Sequence, residues 1–430
     1  MKKVLIVTYY WPPAGGPGVQ RWLKFVKYLK NFGVDPIVYI PENPHYPIVD
    51  NSLVNEVAKD VTVIKQPILE PYQWASIFSK KNTETISSGI IQEKKQQGLL
   101  QKIMLWVRGN LFIPDARKFW IKPSVKFLSN YIEKNAIDTL ITTGPPHSLH
   151  IIGLKLKAKT NVKWIADFRD PWTTIGYHHQ LKLTKNSQQK HKLLESEVLN
   201  KANHIITTSY TTKKDFSEIT TKPITVITNG FDGDIVERKT LDNTFSLAHI
   251  GSLLSERNPE NLWLALKELI TENKEFSEDF QLVFVGKVSE QVLNSVFNYG
   301  LKDYLTNVGY VSYQESVQYK EKSQVLLLLE IDKPEMNGII PGKLFEYLQA
   351  KRPILAIGPN KWDAARIIKE TNSGKYFNYS SKEKIKTQIL KWYKAYQSNE
   401  LQVDSSSEKI EKFSRKKLTK SLATIINQLS

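Results

Sequence analysis

The stretch 338–358, GIIPGKLFEYLQAKRPILAIG, holds the residues whose types and spacing carry the most chemistry in this chain. It reads as a turn, then a helix with a lysine and a glutamate on its first turns, then a buried strand opening onto glycine. That layout suits a ligand with two phosphates and a sugar diol. Backbone amides at a helix start, aided by Lys or Arg, hold phosphates, and a carboxylate accepts two hydrogen bonds from a diol. Gly338, Ile339 and Ile340 precede the helix and can present amides, while Pro341 and Gly342 shape the turn. Lys343 adds a point charge there, or is an ordinary solvent lysine. Glu346, with Leu344 and Leu348 on a common side, is either the diol ligand or a surface glutamate favoured by its first-turn position.

Two further segments of the second half fit the same chemistry. In His249-Ile250-Gly251-Ser252 a strand ends at glycine, and Arg257 follows just before a helix. Arg257 is well placed for a diphosphate clamp; its alternative is a pair with Glu256 or Glu260. Asn307-Val308-Gly309-Tyr310-Val311 reads as a strand end whose backbone at Gly309 and ring at Tyr310 border a nucleobase, or whose tyrosine is simply buried.

The first half offers Ala14-Gly15-Gly16-Pro17-Gly18 after the first strand, where Gly15 and Gly16 permit close backbone approach. Gly16, Gly18 and Arg21 imitate a dinucleotide fingerprint, but a third glycine is missing and the preceding loop is long, which argues against a nicotinamide cofactor. Thr143-Gly144-Pro145-Pro146-His147-Ser148 closes another strand. His147 stands where ligands bind to parallel sheets; His150 is its rival, and a satisfied structural histidine is the alternative to both. Asp167-Phe168-Arg169-Asp170-Pro171-Trp172 follows a strand directly. Asp170 there orients or deprotonates a substrate hydroxyl, holds Arg169, or caps a turn. No spacing of metal ligands occurs: there is no HExxH, and no Asp-x-Asp pair at a strand end.

Parallel sheets flanked by helices must position these residues. Apolar runs alternate with helical patterns twice over. Strands are expected at 3–8, 36–40, 61–65, 139–143, 164–167, 204–208 and 224–228, and again at 246–250, 281–285, 307–311, 325–330 and 353–357. Helices are expected at 20–31, with Gly33 as a stop, and at 261–270 and 316–322. The polar stretch 78–100 reads as a loop. Leu99, Leu100, Ile103, Met104 and Val107 then form an apolar helical stripe beside Lys102 and Arg108, which packs in a core or lies on a membrane surface. Residues 409–429 keep helical apolar spacing to the end of the chain.

Composition sets outer bounds. A chain of 430 residues is too long for one ordinary core, so two domains are expected. No run of about 18 apolar residues suggests a membrane span. The opening MKKVLIVTYYWPPAGG is a first buried strand rather than a signal peptide, because Trp11, Pro12 and Pro13 break its apolar run. The absence of cysteine excludes disulfides and thiolate chemistry and is compatible with the cytoplasm. The net charge of +17 attracts nucleic acid, anionic lipid or phosphorylated substrates, or reflects a solvated lysine-rich surface. No nucleic-acid-binding signature accompanies it, so nucleic acid is not an expected partner.

In order and spacing, the glycine loop, GPPHS, DFRDPW, NGFD, the GSL-to-ERNP segment, NVGYVS and GKLFEYL resemble glycosyltransferase family 4 over nearly the full chain. The resemblance implies an α/β GT-B fold: two Rossmann-like domains facing across a cleft, with a C-terminal helix crossing back to the first. Domains are then expected at 1–235 (acceptor side), 236–408 (nucleotide-sugar donor) and 409–430 (the returning helix). It implies a retaining, metal-independent transfer from a nucleotide diphosphate sugar, a co-substrate rather than a cofactor, to a glycan or lipid-linked acceptor. The setting would be cell-surface polysaccharide synthesis, in the cytoplasm or on the inner face of an anionic membrane. Arg257 and Lys343 would contact the diphosphate, Glu346 the ribose and Gly16 the phosphate side, with His147 near the donor sugar. Family members often carry a glutamate eight residues before the one matching Glu346; here that position is Gly338, and backbone atoms would replace it. An epimerase of the same fold and a non-catalytic glycan-binding homologue are the alternative readings.

Overall fold

The structure, a computed structural model, describes residues 1–70, 99–175, 181–235, 240–403 and 405–429. The chain divides into two compact units, one of residues 1–228 and 415–430, the other of residues 229–414. Most of the stretch expected to be a loop, 78–98, lies outside the described residues; positions 99 and 100 open the helix Leu99–Leu111.

The first unit is built on strands β1 (Lys2–Val7), β2 (Val34–Pro41), β3 (Thr62–Gln66), β4 (Thr139–Gly144), β5 (Lys163–Phe168), β6 (His204–Thr207) and β7 (Ile224–Val226). They form one sheet in the order β3-β2-β1-β4-β5-β6-β7, and every pair is parallel. Strand β1 shows why its sequence is apolar throughout. Leu5 and Val7 enter one core with Trp120, Leu128 and Trp164, while Val4 and Ile6 enter a second with Trp22, Phe25 and Ile141. A strand covered on both faces has no polar side to alternate with. The helix Pro17–Leu29 ends in a short turn closed by Gly33, whose φ of 78° serves as a left-handed stop.

The second unit holds β8 (Phe245–Ile250), β9 (Phe280–Val285), β10 (Leu305–Gly309), β11 (Val325–Leu329), β12 (Ile354–Ile357) and β13 (Gly374–Phe377). Their order is β10-β9-β8-β11-β12-β13, again all parallel. All twelve expected strands are present with small shifts at their ends; β13, short and half-buried, was not expected.

Both sheets start from an inner strand, step outward to one edge, then return to build the other. The order therefore reverses between β1 and β4 in the first unit and between β8 and β11 in the second. Loops leaving the carboxyl ends of strands diverge at such a point and open a crevice where ligands bind. The glycine loop follows β1 and Gly144-Pro145-Pro146-His147 closes β4, while Gly251 follows β8.

The single terminal helix expected over 409–429 is two pieces. Ser407–Glu411 belongs to the second unit, where Phe413 packs its ring on Phe345 at 5.7 Å. Arg415–Gln428 belongs to the first, burying Leu418, Leu422, Ile425 and Ile426 with the core under Trp22 and Phe25. Lys2 donates to the Ile426 carbonyl at 2.8 Å, which ties the last helix to the first strand. Thus the chain ends by crossing back into the unit in which it began.

Candidate functional site

In the second unit Arg257 and Lys343 lie by the β8/β11 switch point, with Glu346 one turn into the Lys343 helix, while Gly309 and Tyr310 stand at the end of the edge strand β10. Three strand ends carry glycines in the left-handed region: Gly251 (φ 107°), Gly286 (φ 116°) and Gly309 (φ 79°). A Cβ on Gly286 would sit 2.9 Å from the backbone of Gly251, and one on Gly251 would sit 2.9 Å from Lys343 Nζ. Glycine here lets the strand ends crowd together and lets a lysine close over them.

Lys343 opens the helix Lys343–Ala350. Its side chain is half-buried rather than a free solvent lysine; its Nζ lies 3.2 Å from His249 Nε2. His249 Nδ1 faces the Leu327 carbonyl at 3.0 Å, which can only accept, so Nδ1 carries the proton and Nε2 accepts from Lys343. Burial, then the Lys343 charge, hold this imidazole well below its usual range and keep it neutral. Burial, followed by the Arg257 charge, likewise pushes Lys343 down to about 7; Glu330 and Glu346 act in the opposite sense. Burial and Arg257 thus disfavour the charge on Lys343.

Arg257 pairs with neither Glu256 nor Glu260. Its Nε donates to Glu330 Oε1 at 3.0 Å and its Nη2 to Glu330 Oε2 at 3.2 Å, while Glu256 meets Lys333. Glu346 accepts from Lys320 Nζ at 2.7 Å and stays partly open to solvent. Lys320 is almost fully buried and lies 5.1 Å from the centre of the Tyr313 ring. Tyr310 is not the buried tyrosine of the alternative reading: it is 93% exposed beyond the end of β10. Gly309 accepts at its carbonyl from the Gly286 amide at 2.7 Å. Of the turn residues, Ile339 has its amide engaged by the Met336 carbonyl at 3.0 Å, and its own carbonyl accepts from Trp362 Nε1 at 2.6 Å. The Ile339 amide is therefore not presented to a ligand, as the sequence suggested, because it closes the turn that leads into the helix.

In the first unit the expected residues flank the β1/β4 switch point. Gly16, with φ 99°, caps the helix Pro17–Leu29, and its carbonyl accepts from the Val19 and Gln20 amides. Gly15 donates to the Ile48 carbonyl at 2.9 Å, leaving no room for a larger residue, since a Cβ would lie 2.9 Å from the Ile48 side chain. Arg169 fills the space over Gly18, donates to the Pro145 carbonyl and lies 5.6 Å from the centre of the Tyr10 ring. It thereby ties the loop after β1 to the loop after β4. Arg21, the last position of the dinucleotide-like pattern, is a buried structural residue bonded to Asp167 at 3.0 Å and to the Thr228 carbonyl at 2.7 Å.

His147 is 5% exposed and stacks on Trp172 at 4.7 Å, nearly parallel. Its rival His150 is fully buried, faces Thr142 Oγ1 at 2.9 Å and is pushed down to about 3 by burial, the state of a core residue. Asp167, three residues before the candidate Asp170, is the hub of the unit: it accepts from Arg21, Trp22 and Thr143. Burial pushes the Asp170 carboxyl up, Arg169 opposes the rise, and the Asp167 charge adds to it. A proton-accepting role needs a raised carboxyl.

Among the described residues, no group of three His, Cys, Asp or Glu side chains is arranged to hold a metal ion, and no helix is long and apolar enough to cross a membrane. The helix Leu99–Leu111 buries Leu105 but leaves Ile103 and Trp106 51% and 42% exposed. Sequence reading missed Glu330, Lys320 and Glu195, which accepts from the Trp172 and Thr173 amides, 3.1 Å each, beside the His147–Trp172 stack. Glu330 had a signal, a lone carboxylate directly after the apolar Val-Leu run of β11; Lys320 and Glu195 sit in ordinary helical patterns with none.

No family model matches the chain, and no curated protein does. Solved structures do match. A glycosyltransferase from Rickettsia africae is 14% identical with a TM-score of 0.64, the alignment covering 100% of this chain and 98% of that one. HepE from Anabaena, solved with UDP, is 12% identical with a TM-score of 0.63 and full coverage of both chains, 100% each. A TarM variant from S. aureus, solved with fondaparinux, alpha-GlcNAc-glycerol and UDP, is 11% identical with a TM-score of 0.58, also covering 100% of each chain. At such identities the likeness shows architecture: this chain has the GT-B fold of two Rossmann-like units, each a parallel sheet between helices.

Proposed function

We propose that the chain is a retaining glycosyltransferase of the family-4 type. It moves a sugar from a nucleotide diphosphate sugar to a glycan or lipid-linked acceptor of a cell-surface polysaccharide, without a metal ion. One observation carries the reading: at the β8/β11 switch point Arg257, the stressed cation Lys343 and the carboxylate Glu346 stand around a crowded edge of three glycines. Two cations and a helix start answer a diphosphate, and a carboxylate answers the ribose diol. UDP in the solved structures of HepE and TarM makes UDP-sugars the first donors to test.

In this mechanism the acceptor hydroxyl attacks the anomeric carbon from the face that the diphosphate leaves. A new C–O bond forms as the bond to the β-phosphate oxygen breaks, and the departing oxygen takes the hydroxyl proton. Arg257, Lys343 and the amide of Gly338 stabilise the developing charge, each such contact lowering the barrier by about 3 kcal/mol; the Ile339 amide, spent on the Met336 carbonyl, shapes the turn instead. Gly309 and Tyr310 border the base. Gly15 and Gly16 admit the phosphate side, His147 contacts the sugar and Asp170 orients the acceptor hydroxyl. Exposed Ile103 and Trp106, with Lys102 beside them on a chain of net charge +17, suit a cytoplasmic protein that visits an anionic membrane surface.

Gly338, where the resemblance expects an acidic residue, favours one second reading, a non-catalytic glycan-binding homologue. A thermal-shift screen against UDP-, GDP-, ADP- and CMP-linked sugars separates the two. A matched donor raises Tm, and NMR of the product then shows the donor's anomeric configuration kept. If none of the sugar nucleotides raises Tm, the donor site is wrong and the second reading gains. Isomerised sugar with no acceptor product points instead to an epimerase.

A further inference from the structure

Glu330 has no role in the scheme above, yet it sits at its centre. It closes β11, and its side chain is 1% exposed. Its backbone is held on both sides: the amide donates to Ile357 at 3.0 Å, and the carbonyl accepts from Tyr379 Oη at 2.8 Å. Its Oε1 also accepts from the Ile331 amide at 2.9 Å. A carboxylate so fixed is a rigid base on which a mobile side chain can be mounted. Arg257 is mounted on it through Nε and Nη2, while the Arg257 side chain remains 23% exposed. A guanidinium has five N–H donors in one plane. The two bonds to Glu330 leave Nη1, with both its protons, on the side away from the carboxylate.

We propose that Glu330 is a positioning residue of the donor site, gripping Arg257 at two points so that its remaining donors face the diphosphate, and keeping a negative charge beside Lys343. The inference rests on the donor-site reading and deepens it. Lys343 faces His249 on β8, Arg257 before the next helix, Glu330 on β11, Lys320 on the helix Tyr313–Lys322, and Glu346 on its own helix. The three nitrogenous neighbours resist its charge or leave it unaided, and Glu330 and Glu346 favour it. Glu346 is partly open to solvent, so its effect is screened; Glu330 is buried and acts at fuller strength.

The sign of one substitution separates this role from that of a bystander. Glu330→Gln removes a negative charge close to a site for anions, so with a bystander the anion binds equally well or more tightly. With a positioning residue it binds more weakly, because Arg257 loses its charged anchor. Isothermal titration with UDP and with inorganic pyrophosphate, alongside the Lys343 titration midpoint from NMR of lysine labelled at Cε, reads both effects. In Glu330→Gln, binding is expected to weaken about tenfold and the Lys343 midpoint to fall. Glu330→Asp, which keeps the charge, is expected to retain the midpoint and most of the affinity. If the Gln variant does not fold, Arg257→Lys replaces it: a lysine keeps the charge but cannot be gripped at two points, so binding is again expected to weaken about tenfold. Unchanged or tighter binding, or an unmoved midpoint in a folded Gln variant, overturns the inference alone. Wild-type protein that binds neither UDP nor pyrophosphate overturns the donor-site reading beneath it, whatever the midpoints.

Discussion

The stressed charge on Lys343 makes the pH dependence of nucleotide binding a direct probe of the site. A lysine free in water titrates near 10.5; here burial and Arg257 bring it to about 7. A displacement of that size corresponds to roughly 5 kcal/mol held against the ammonium. A diphosphate beside the nitrogen supplies the missing negative charge and keeps it protonated. Free protein therefore takes up a proton on binding whenever the solution is above pH 7, and Kd grows in proportion to 1 + 10^(pH − 7). Between pH 7.0 and 8.5 the rise is about sixteenfold. UDP is the probe, because its own phosphates are ionised across that window. Titrations in two buffers of different ionisation enthalpy should show close to one proton taken up at the upper end. Lys343→Arg is charged throughout, so its binding curve should be flat. A wild-type curve as flat as that of the Arg variant, with no proton uptake, would refute the argument that an anion relieves this lysine.

Glu346→Gln, which keeps the shape but loses the charge of the ribose ligand, should weaken UDP about tenfold and pyrophosphate far less, since only its screened effect on Lys343 bears on the phosphates, as titration calorimetry can check. Asp167→Ala strands Arg21 in the core of the first unit, so urea unfolding should report a loss of about 3–5 kcal/mol. Replacing Ile103 and Trp106 together by glutamate should abolish co-sedimentation with phosphatidylserine vesicles while the Kd for UDP is unchanged; retained vesicle binding removes that face from the membrane proposal.

The alternation of apolar runs with helical patterns made the two parallel sheets legible, because a strand buried on both faces, such as β1, β8 or β11, must be largely apolar, and β-branched residues and turn signals marked the edge strands β3, β7 and β10. Strand β13 escaped because Gly374-Lys375-Tyr376-Phe377 opens on glycine and lysine and carries neither an apolar run nor β-branched residues. The candidate positions were legible for a related reason: glycines and polar residues directly after buried strands must fall at the carboxyl edges of the sheets. What those residues touch was not. Arg257 has acidic neighbours one and three residues away, but its partner, Glu330, is 73 positions distant. The two meet because β8 and β11 are adjacent across a reversal in strand order, and no local pattern states which strands are adjacent. The same holds for Lys343 under Gly251 and for Lys320 on Glu346. The break in the terminal helix at residues 412–414 had the same origin, since helical spacing runs through it and only the division of its apolar residues between two cores interrupts it. Sequence alone therefore determined where buried strands lie and which residues stand at their ends, since burial and turn chemistry are written locally. Tertiary structure decided the charges, because a pKa and an ion pair depend on neighbours that the chain brings together only by folding.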